Sequence, residues 1–140
     1  MTTEDGLRPL GWDDDVARRI AVVQRPGLRA GRVVRVDRGE VDVAVGRSDH
    51  DDLRATSTTS AKDCVAGDWV VVDEAAARVE AVAERRPAFV RRSARGARTP
   101  QTLAANLDVV LVVSGLDPGL NPRRLERELD ALPVALVFVV

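Results

Sequence analysis

The chain has 140 residues, of which 45% are hydrophobic and 31% charged, with a formal net charge of −1. This length suits one ordinary domain, or a small domain with part of another. The apolar content and near-neutral charge exclude an intrinsically disordered chain. No apolar run approaches the roughly 20 residues of a membrane-spanning helix, and no secretory signal is visible. The single Cys64 cannot form an internal disulfide, so we expect a buried thiol in a cytoplasmic protein.

The N-terminal part of the chain predicts one short helix. Residues 1–11 are expected to be frayed. Beyond them, Trp12, Val16 and Ile20 are spaced four apart and form a single apolar helix stripe. The acidic run at residues 13–15 is interpreted as the start of this helix, because carboxylates are stabilised near its positive end. A metal site is disfavoured there because no ligand partner lies nearby in sequence.

The next part of the chain predicts a small β-barrel. Val41, Val43 and Val45 alternate with Asp42 and Ala44. They follow a turn in which Gly39 suits a position that needs a positive φ. Further strand-like runs give five predicted strands, at residues 32–36, 40–45, 53–59, 69–72 and 78–83. An OB-fold has this strand count and size. An SH3-like barrel produces much the same pattern and stays open as an alternative.

A basic stretch follows at residues 84–100, with six arginines and one acid, Glu84. Gly96 and Pro100 favour an irregular linker. Such a cluster is a candidate phosphate-binding patch. The alternative is a solvated linker in which the arginines only reflect biased codon usage. Aromatic residues are only 3% of the chain, so nucleic-acid contact would depend on phosphate and shape rather than base stacking. The candidate RNA-binding residues, two of them on the predicted barrel, are Arg32, Arg35, Arg85, Arg86, Arg91, Arg92, Arg95 and Arg98.

Residues 101–140 predict a different architecture. The near-continuous apolar run 107–113 is typical of a buried parallel strand. Asn121 and Pro122 are favourable residues for a helix start, and residues 134–140 form a second apolar run. The order strand, helix, strand predicts a βαβ unit, which opens an α/β domain with a parallel sheet.

In order, and over nearly its whole length, the sequence resembles the actinobacterial branch of the small ribosomal subunit-dependent, circularly permuted GTPases (RsgA, also called YjeQ or EngC). The stretches that carry the resemblance are LGWDD at 10–14, GRVVRVDRG at 31–39, AGDWV at 66–70, RRPAFVR at 85–91, QTLAANLD at 101–108 and NPRRLER at 121–127.

The resemblance implies an OB-fold that contacts ribosomal RNA, a permuted GTPase domain and a C-terminal zinc-binding domain. The implied activity is GTP hydrolysis coupled to late maturation of the small ribosomal subunit. GTP, Mg²⁺ and structural zinc are implied for the full-length family, and the small subunit and its rRNA are the implied partners. Neither membrane nor DNA is expected as a partner, and we expect a monomer with a sticky C-terminal strand.

The resemblance also divides the chain into four segments. They are an N-terminal helical segment, an OB-fold RNA-binding domain, a basic linker and the truncated start of a permuted GTPase domain, at residues 1–24, 25–84, 85–100 and 101–140. The predicted fold is therefore a five-stranded OB barrel followed by the first βαβ unit of a truncated α/β domain.

The sequence departs from the family in its nucleotide-binding motifs. It contains no Asn-Lys-x-Asp and no Gly-x-x-x-x-Gly-Lys-Ser/Thr, and its one lysine, Lys62, precedes an aspartate. Without these motifs there is no phosphate cradle and no Mg²⁺-binding hydroxyl. Cys64 and His50, expected in an exposed loop, cannot alone form a four-ligand zinc site. No catalytic, cofactor-binding or metal residue is therefore assigned.

Three functional hypotheses follow from these observations. The chain is expected to be the N-terminal part of a ribosome-assembly GTPase, a hydrolase acting on GTP, and to be inactive by itself. The alternative is a stand-alone OB-fold module that binds RNA or protein without catalysis. An unrelated enzyme is the third hypothesis, and no constellation of residues supports it.

Overall fold

The computed structural model describes residues 3–46, 52–58, 63–86, 88–91, 101–114, 121–130 and 135–139. The chain divides into two compact units, Met1–Arg85 and Arg86–Val140. The described elements of the first unit are α1 (Thr3–Leu7), a 3-10 helix (Arg8–Leu10), α2 (Asp14–Val23), β1 (Arg29–Asp37), β2 (Glu40–Ala44), β3 (Asp52–Ser57), β4 (Trp69–Asp73) and β5 (Arg78–Val82). Those of the second unit are β6 (Ala88–Arg91), β7 (Gln101–Ala105), β8 (Val110–Ser114), α3 (Pro122–Leu129) and β9 (Ala135–Val139).

The strands of the first unit close into a barrel in the order β1-β2-β3-β5-β4. β3 and β5 pair in parallel, and every other neighbouring pair is antiparallel. A mixed five-stranded barrel closed in this order is an OB-fold. The predicted OB barrel is therefore confirmed, and strand order decides against the SH3-like alternative.

A tight hairpin joins β1 to β2. Asp37 pairs with Glu40 across two central residues, Arg38 and Gly39, whose φ angles are 46° and 90°. Positive φ at both positions is the type I′ geometry, whose twist matches that of the flanking strands. The predicted role of Gly39 is confirmed. Arg38 also takes up a left-handed conformation, which is uncommon for a residue with a side chain.

The barrel interior is filled by small apolar side chains. Their alternation along β2 is as predicted, with Val41 and Val43 buried inside and Asp42 facing outward. Gly31 on β1 allows a close approach to β2, since a Cβ on Gly31 would come within 2.6 Å of the Val43 side chain. The cluster comprises Val33, Val41, Val43, Val45, Ala55, Cys64, Val70, Val72 and Val79, so Cys64 is buried as expected.

β4 is buried on both of its faces. Val70 and Val72 belong to the barrel interior, whereas Trp69 and Val71 belong to a second apolar cluster. The other buried members of that cluster come from the N-terminal helices and from the residue that follows β5, and are Leu7, Val16, Ile20 and Ala83. Burial on both sides explains why this strand is a continuous apolar run and not an alternating one.

The expectation that residues 1–11 are frayed is wrong for residues 3–11, the part of this segment that the structure describes. Leu7 is fully buried in the second cluster. Gly6 lies so close to Gly46 that a Cβ on it would overlap the Gly46 carbonyl oxygen. The segment is ordered because the outer face of β4 needs an apolar cover, a requirement that local sequence does not reveal.

The predicted start of α2 is confirmed. Asp13 is the N-cap, and its Oδ1 accepts a hydrogen bond of 2.8 Å from the Val16 backbone N–H. Val16 and Ile20 are buried on the predicted stripe. Trp12 meets Trp69 edge to face, with ring centroids 5.4 Å apart.

In the second unit, β6 pairs with β7 antiparallel, β8 pairs with β9 in parallel, and α3 lies between β8 and β9 in sequence. β6 falls within the segment expected to be an irregular linker, so that segment is not irregular throughout. The strand expected to be buried has exposed side chains, at 61% for Leu111 and 66% for Val113. The side chains of β9, on which the expected stickiness depends, lie outside the described part.

Candidate nucleic-acid interface

The structure describes the side chains of some of the eight predicted RNA-binding arginines, the backbone alone of another, and nothing of the rest. Arg92, Arg95 and Arg98 lie outside the described residues, as does His50. For Arg91 the backbone is described, at the end of β6. The remaining four arginines have described surroundings, and these separate the side chains that serve the fold from those that face solvent.

Arg32 connects the barrel to the N-terminal segment. It stands opposite Trp69 in the pairing of β1 with β4, and its guanidinium lies over the Trp69 ring, 5.3 Å from the centroid. Its Nη1 donates a hydrogen bond to the Leu10 carbonyl oxygen. A cation–π contact of this kind contributes about 0.5–2 kcal/mol. The half-buried Arg32 side chain therefore has partners inside the first unit.

Arg35 faces solvent on the outer side of β1. Its side chain is 68% exposed, and Nη2 lies 4.0 Å from a carboxylate oxygen of Asp37. An exposed ion pair at that distance contributes little to stability. The guanidinium can therefore exchange this contact for a phosphate at small cost.

Arg85 is bound to a buried carboxylate. Its Nε and Nη2 donate to the two oxygens of Asp68 at 2.7 and 2.8 Å, and Nη2 also donates to the Asp63 carbonyl at 2.6 Å. Asp68 is fully buried. The hydrogen bonds with Asp68 raise the pKa of the Arg85 guanidinium above its ordinary value.

Arg86 is the first residue of the second unit and is exposed. Its backbone N–H donates 3.1 Å to Oδ1 of Asn106. Asn106 is buried and follows β7 with a φ of 54°. An asparagine tolerates that left-handed conformation better than most residues. The backbone N–H of Arg86 is thus hydrogen-bonded in a residue that is exposed as a whole.

Sequence reasoning missed Arg54, which organises the outer face of β2 and β3. It donates to Glu40 at 2.8 and 3.1 Å and to Asp42 at 2.9 Å. The hydrogen bonds with Glu40 and then Asp42 raise its pKa. The alternation of β2 and β3 was the available signal, because it places all three side chains on one face.

This outer face differs from a base-stacking surface. In OB-fold proteins, the face of the second and third strands and the neighbouring loops bind oligonucleotides. Here neither β2 nor β3 contains an aromatic residue, and Arg54 is paired with acids. Recognition on this face would thus rest on charge and shape.

Neither metal nor thiol chemistry is supported by the described residues. Within them, no group of three or more His, Cys, Asp or Glu side chains is placed to hold a metal ion. Burial raises the pKa of the Cys64 thiol to about 11, so it stays protonated and unreactive near neutral pH. No helix in the described ranges is long and apolar enough to cross a membrane.

Comparison with known proteins connects the chain to one group of relatives. It is 38% identical over 133 residues to the small ribosomal subunit biogenesis GTPase RsgA of Streptomyces avermitilis, covering 86% of this chain and 34% of that protein. It is 37% identical over 138 residues to RsgA of Streptomyces coelicolor, covering 90% and 36%. RsgA of Leptospira interrogans is 31% identical over 132 residues, covering 88% and 35%. The chain therefore spans about a third of the length of these relatives.

A solved structure shares the fold. The crystal structure of YloQ, a circularly permuted GTPase, superimposes with a TM-score of 0.50 at 17% identity, covering 80% of this chain and 40% of that one. No family model matches the chain.

The closed mixed barrel places the chain in the class of OB-fold proteins, with a fold shared with YloQ. The resemblance seen in the sequence is confirmed: over the third of their length that it covers, the chain belongs to the RsgA family of small ribosomal subunit biogenesis GTPases.

Proposed function

We propose that the chain is the RNA-binding N-terminal part of a small ribosomal subunit biogenesis GTPase. In this proposal it acts in the cytoplasm, binds the rRNA of the small subunit during late maturation, and neither binds nor hydrolyses GTP by itself. The observation that carries the proposal is the 38% identity to a named ribosome-biogenesis GTPase over 86% of the chain. The OB barrel supports it, because this fold commonly binds oligonucleotides.

The proposed contacts are electrostatic. Arg35 and Arg86 are exposed, and the basic stretch adds Arg91, Arg92, Arg95 and Arg98. Guanidinium groups bind phosphate oxygens by charge and by paired hydrogen bonds. Each phosphate contact releases counterions, so the affinity should fall steeply as salt rises.

The test is filter binding of the chain to small-subunit rRNA over a series of salt concentrations. Replacing Arg91, Arg92, Arg95 and Arg98 together by alanine should flatten the slope of log K against log salt by about 3, at roughly 0.7–0.9 per phosphate contact. A control of equal charge replaces four arginines elsewhere, Arg8, Arg18, Arg25 and Arg78, and should leave the slope unchanged. A salt-independent affinity, or equal effects of the two quadruple variants, would contradict the proposal.

The second candidate function is a stand-alone OB-fold module that binds RNA or protein. The observation that favours it is that both apolar clusters lie within Met1–Arg85, so the barrel has a complete core of its own. Limited proteolysis with mass spectrometry separates the two functions. Survival of the unit Met1–Arg85 alone with full RNA affinity would favour the module, whereas one protected core that extends through residues 101–140 would disfavour it.

A further inference from the structure

The chain leaves the barrel through a segment in which successive residues are held by different parts of the first unit. The Ala83 backbone N–H donates 2.8 Å to the Trp69 carbonyl on β4. The Glu84 carbonyl accepts 2.7 Å from Nη1 of Arg19 on α2. Next, the Arg85 side chain reaches Asp68, which immediately precedes β4. Contacts of this kind, made one after another along the backbone, fix the path of an exit segment.

Asp68 is the centre of this arrangement. It has no exposed surface, and its Oδ2 accepts from both Nη2 of Arg85 and the Val65 backbone N–H, each at 2.8 Å. Its Oδ1 accepts from Nε of Arg85 at 2.7 Å. A buried carboxylate is costly unless it is paired and hydrogen-bonded. Arg85 therefore cannot turn toward a phosphate without leaving an uncompensated charge in the interior.

Arg19 on α2 supplies a second, independent contact. Its side chain is only 10% exposed, and its Nε lies 2.8 Å from Oδ2 of Asp15. The carboxylate one turn earlier on α2 thus orients the guanidinium that binds the Glu84 carbonyl. This contact joins α2 to the exit segment without burying an isolated charge.

We propose that Arg19, Asp68 and Arg85 form an exit latch, which holds residues 83–85 in one conformation where the chain leaves the barrel. Within it, Arg85 is a positioning residue and not a phosphate ligand. The exclusion of Arg85 removes one residue from the predicted RNA-contacting arginines, and this part of the proposal rests on the proposed function. The latch itself depends only on contacts inside the first unit.

Amide hydrogen exchange on the full chain tests the latch without RNA. Replacing Arg85 by alanine should speed exchange of the Ala83 and Val65 amides at least tenfold and leave the β2 and β3 amides unchanged. Lysine at position 85 should restore part of the protection, because it supplies the charge but not the paired geometry. The control is Arg78→Ala, which removes an exposed arginine that is ion-paired with half-buried Glu80 in the barrel wall.

A second variant covers the case in which Arg85→Ala fails to fold around the unpaired carboxylate. Arg19→Ala leaves Asp68 paired and should speed exchange of the Ala83 amide several-fold, with Arg18→Ala as its exposed neighbour on the same helix. Unchanged exchange in both Arg19→Ala and Arg85→Lys would overturn the latch.

The rRNA salt series then separates the two roles of Arg85. A positioning residue predicts the same slope for Arg85→Lys, Arg19→Ala and wild type. A slope lower by about 1 in an Arg85→Ala variant that retains its exchange protection would identify a phosphate ligand and overturn the assignment. If no variant, and not even the wild type, binds rRNA, the proposed function fails, while the exchange data still decide the latch.

Discussion

At the scale of the residue, burial determines whether an ionisable group stays neutral or must be paired. Cys64 belongs to the barrel interior, and burial raises the pKa of its thiol from 9.0 to about 11. Asp68 is also buried, yet it remains acceptable there because Arg85 and a backbone N–H satisfy its oxygens. The same environment thus keeps a thiol neutral and requires a carboxylate to be paired.

The first prediction concerns the pH dependence set by Cys64. A thiol whose pKa is raised on folding stabilises the fold fully below its unfolded pKa. That stabilisation is lost as pH rises through the folded value. The free energy of unfolding should therefore decline between pH 9 and about 11, and should decline less in Cys64→Ala. Urea denaturation at intervals across this window measures it, and parallel pH profiles for the two proteins would refute it.

At the scale of the element, β4 decides the architecture of the first unit. One face of the strand fills the barrel and the other is covered by α1, the 3-10 helix and α2. Leu7 is the fully buried contribution of α1. A helix of five residues is too short to be stable alone, so this packing is what holds it in place.

The second prediction tests that cover. Leu7→Ala should lower the free energy of unfolding by about 2–5 kcal/mol, the usual cost of removing a buried leucine. Val22 offers a matched control, since it lies on α2 with 76% of its surface exposed. Val22→Ala should change stability by less than about 0.5 kcal/mol. Chemical denaturation followed by tryptophan fluorescence measures both, and equal effects would show that the N-terminal segment does not cover β4.

At the scale of the whole molecule, the chain combines a complete barrel with a second unit of paired strands and one described helix. The relatives are named as GTPases, and the chain spans about a third of their length. Its sequence contains neither the guanine-specificity motif, Asn-Lys-x-Asp, nor the phosphate-binding loop, Gly-x-x-x-x-Gly-Lys-Ser/Thr. Nucleotide binding depends on backbone N–H groups and a lysine placed by that loop.

The third prediction is that this chain does not bind GTP. Calorimetric titration with GTP and Mg²⁺ should give no saturable heat at micromolar nucleotide. The full-length Streptomyces coelicolor relative is the positive control under the same conditions. Saturable binding, or GTP turnover on addition of small ribosomal subunits to the purified chain, would show that the activity does not need those motifs.

Local pattern alone was sufficient for the features that arise from near neighbours. Alternating valines predicted the inward face of β2, Asp13 and its neighbours predicted the start of α2, and Gly39 predicted the hairpin turn. Each depends on residues within a few positions of one another, where backbone geometry and side-chain period act directly.

Tertiary structure decided what depends on residues far apart in the chain. The parallel pairing of β3 with β5 selected the OB topology. The apolar outer face of β4, which the N-terminal helices bury, explains why residues 3–10 are ordered, and Asp68 distinguished Arg85 from the exposed arginines around it. An arginine has the same charge in every one of these places. Only burial and a partner brought from a distant part of the sequence determine whether that charge supports the fold or is available to a ligand.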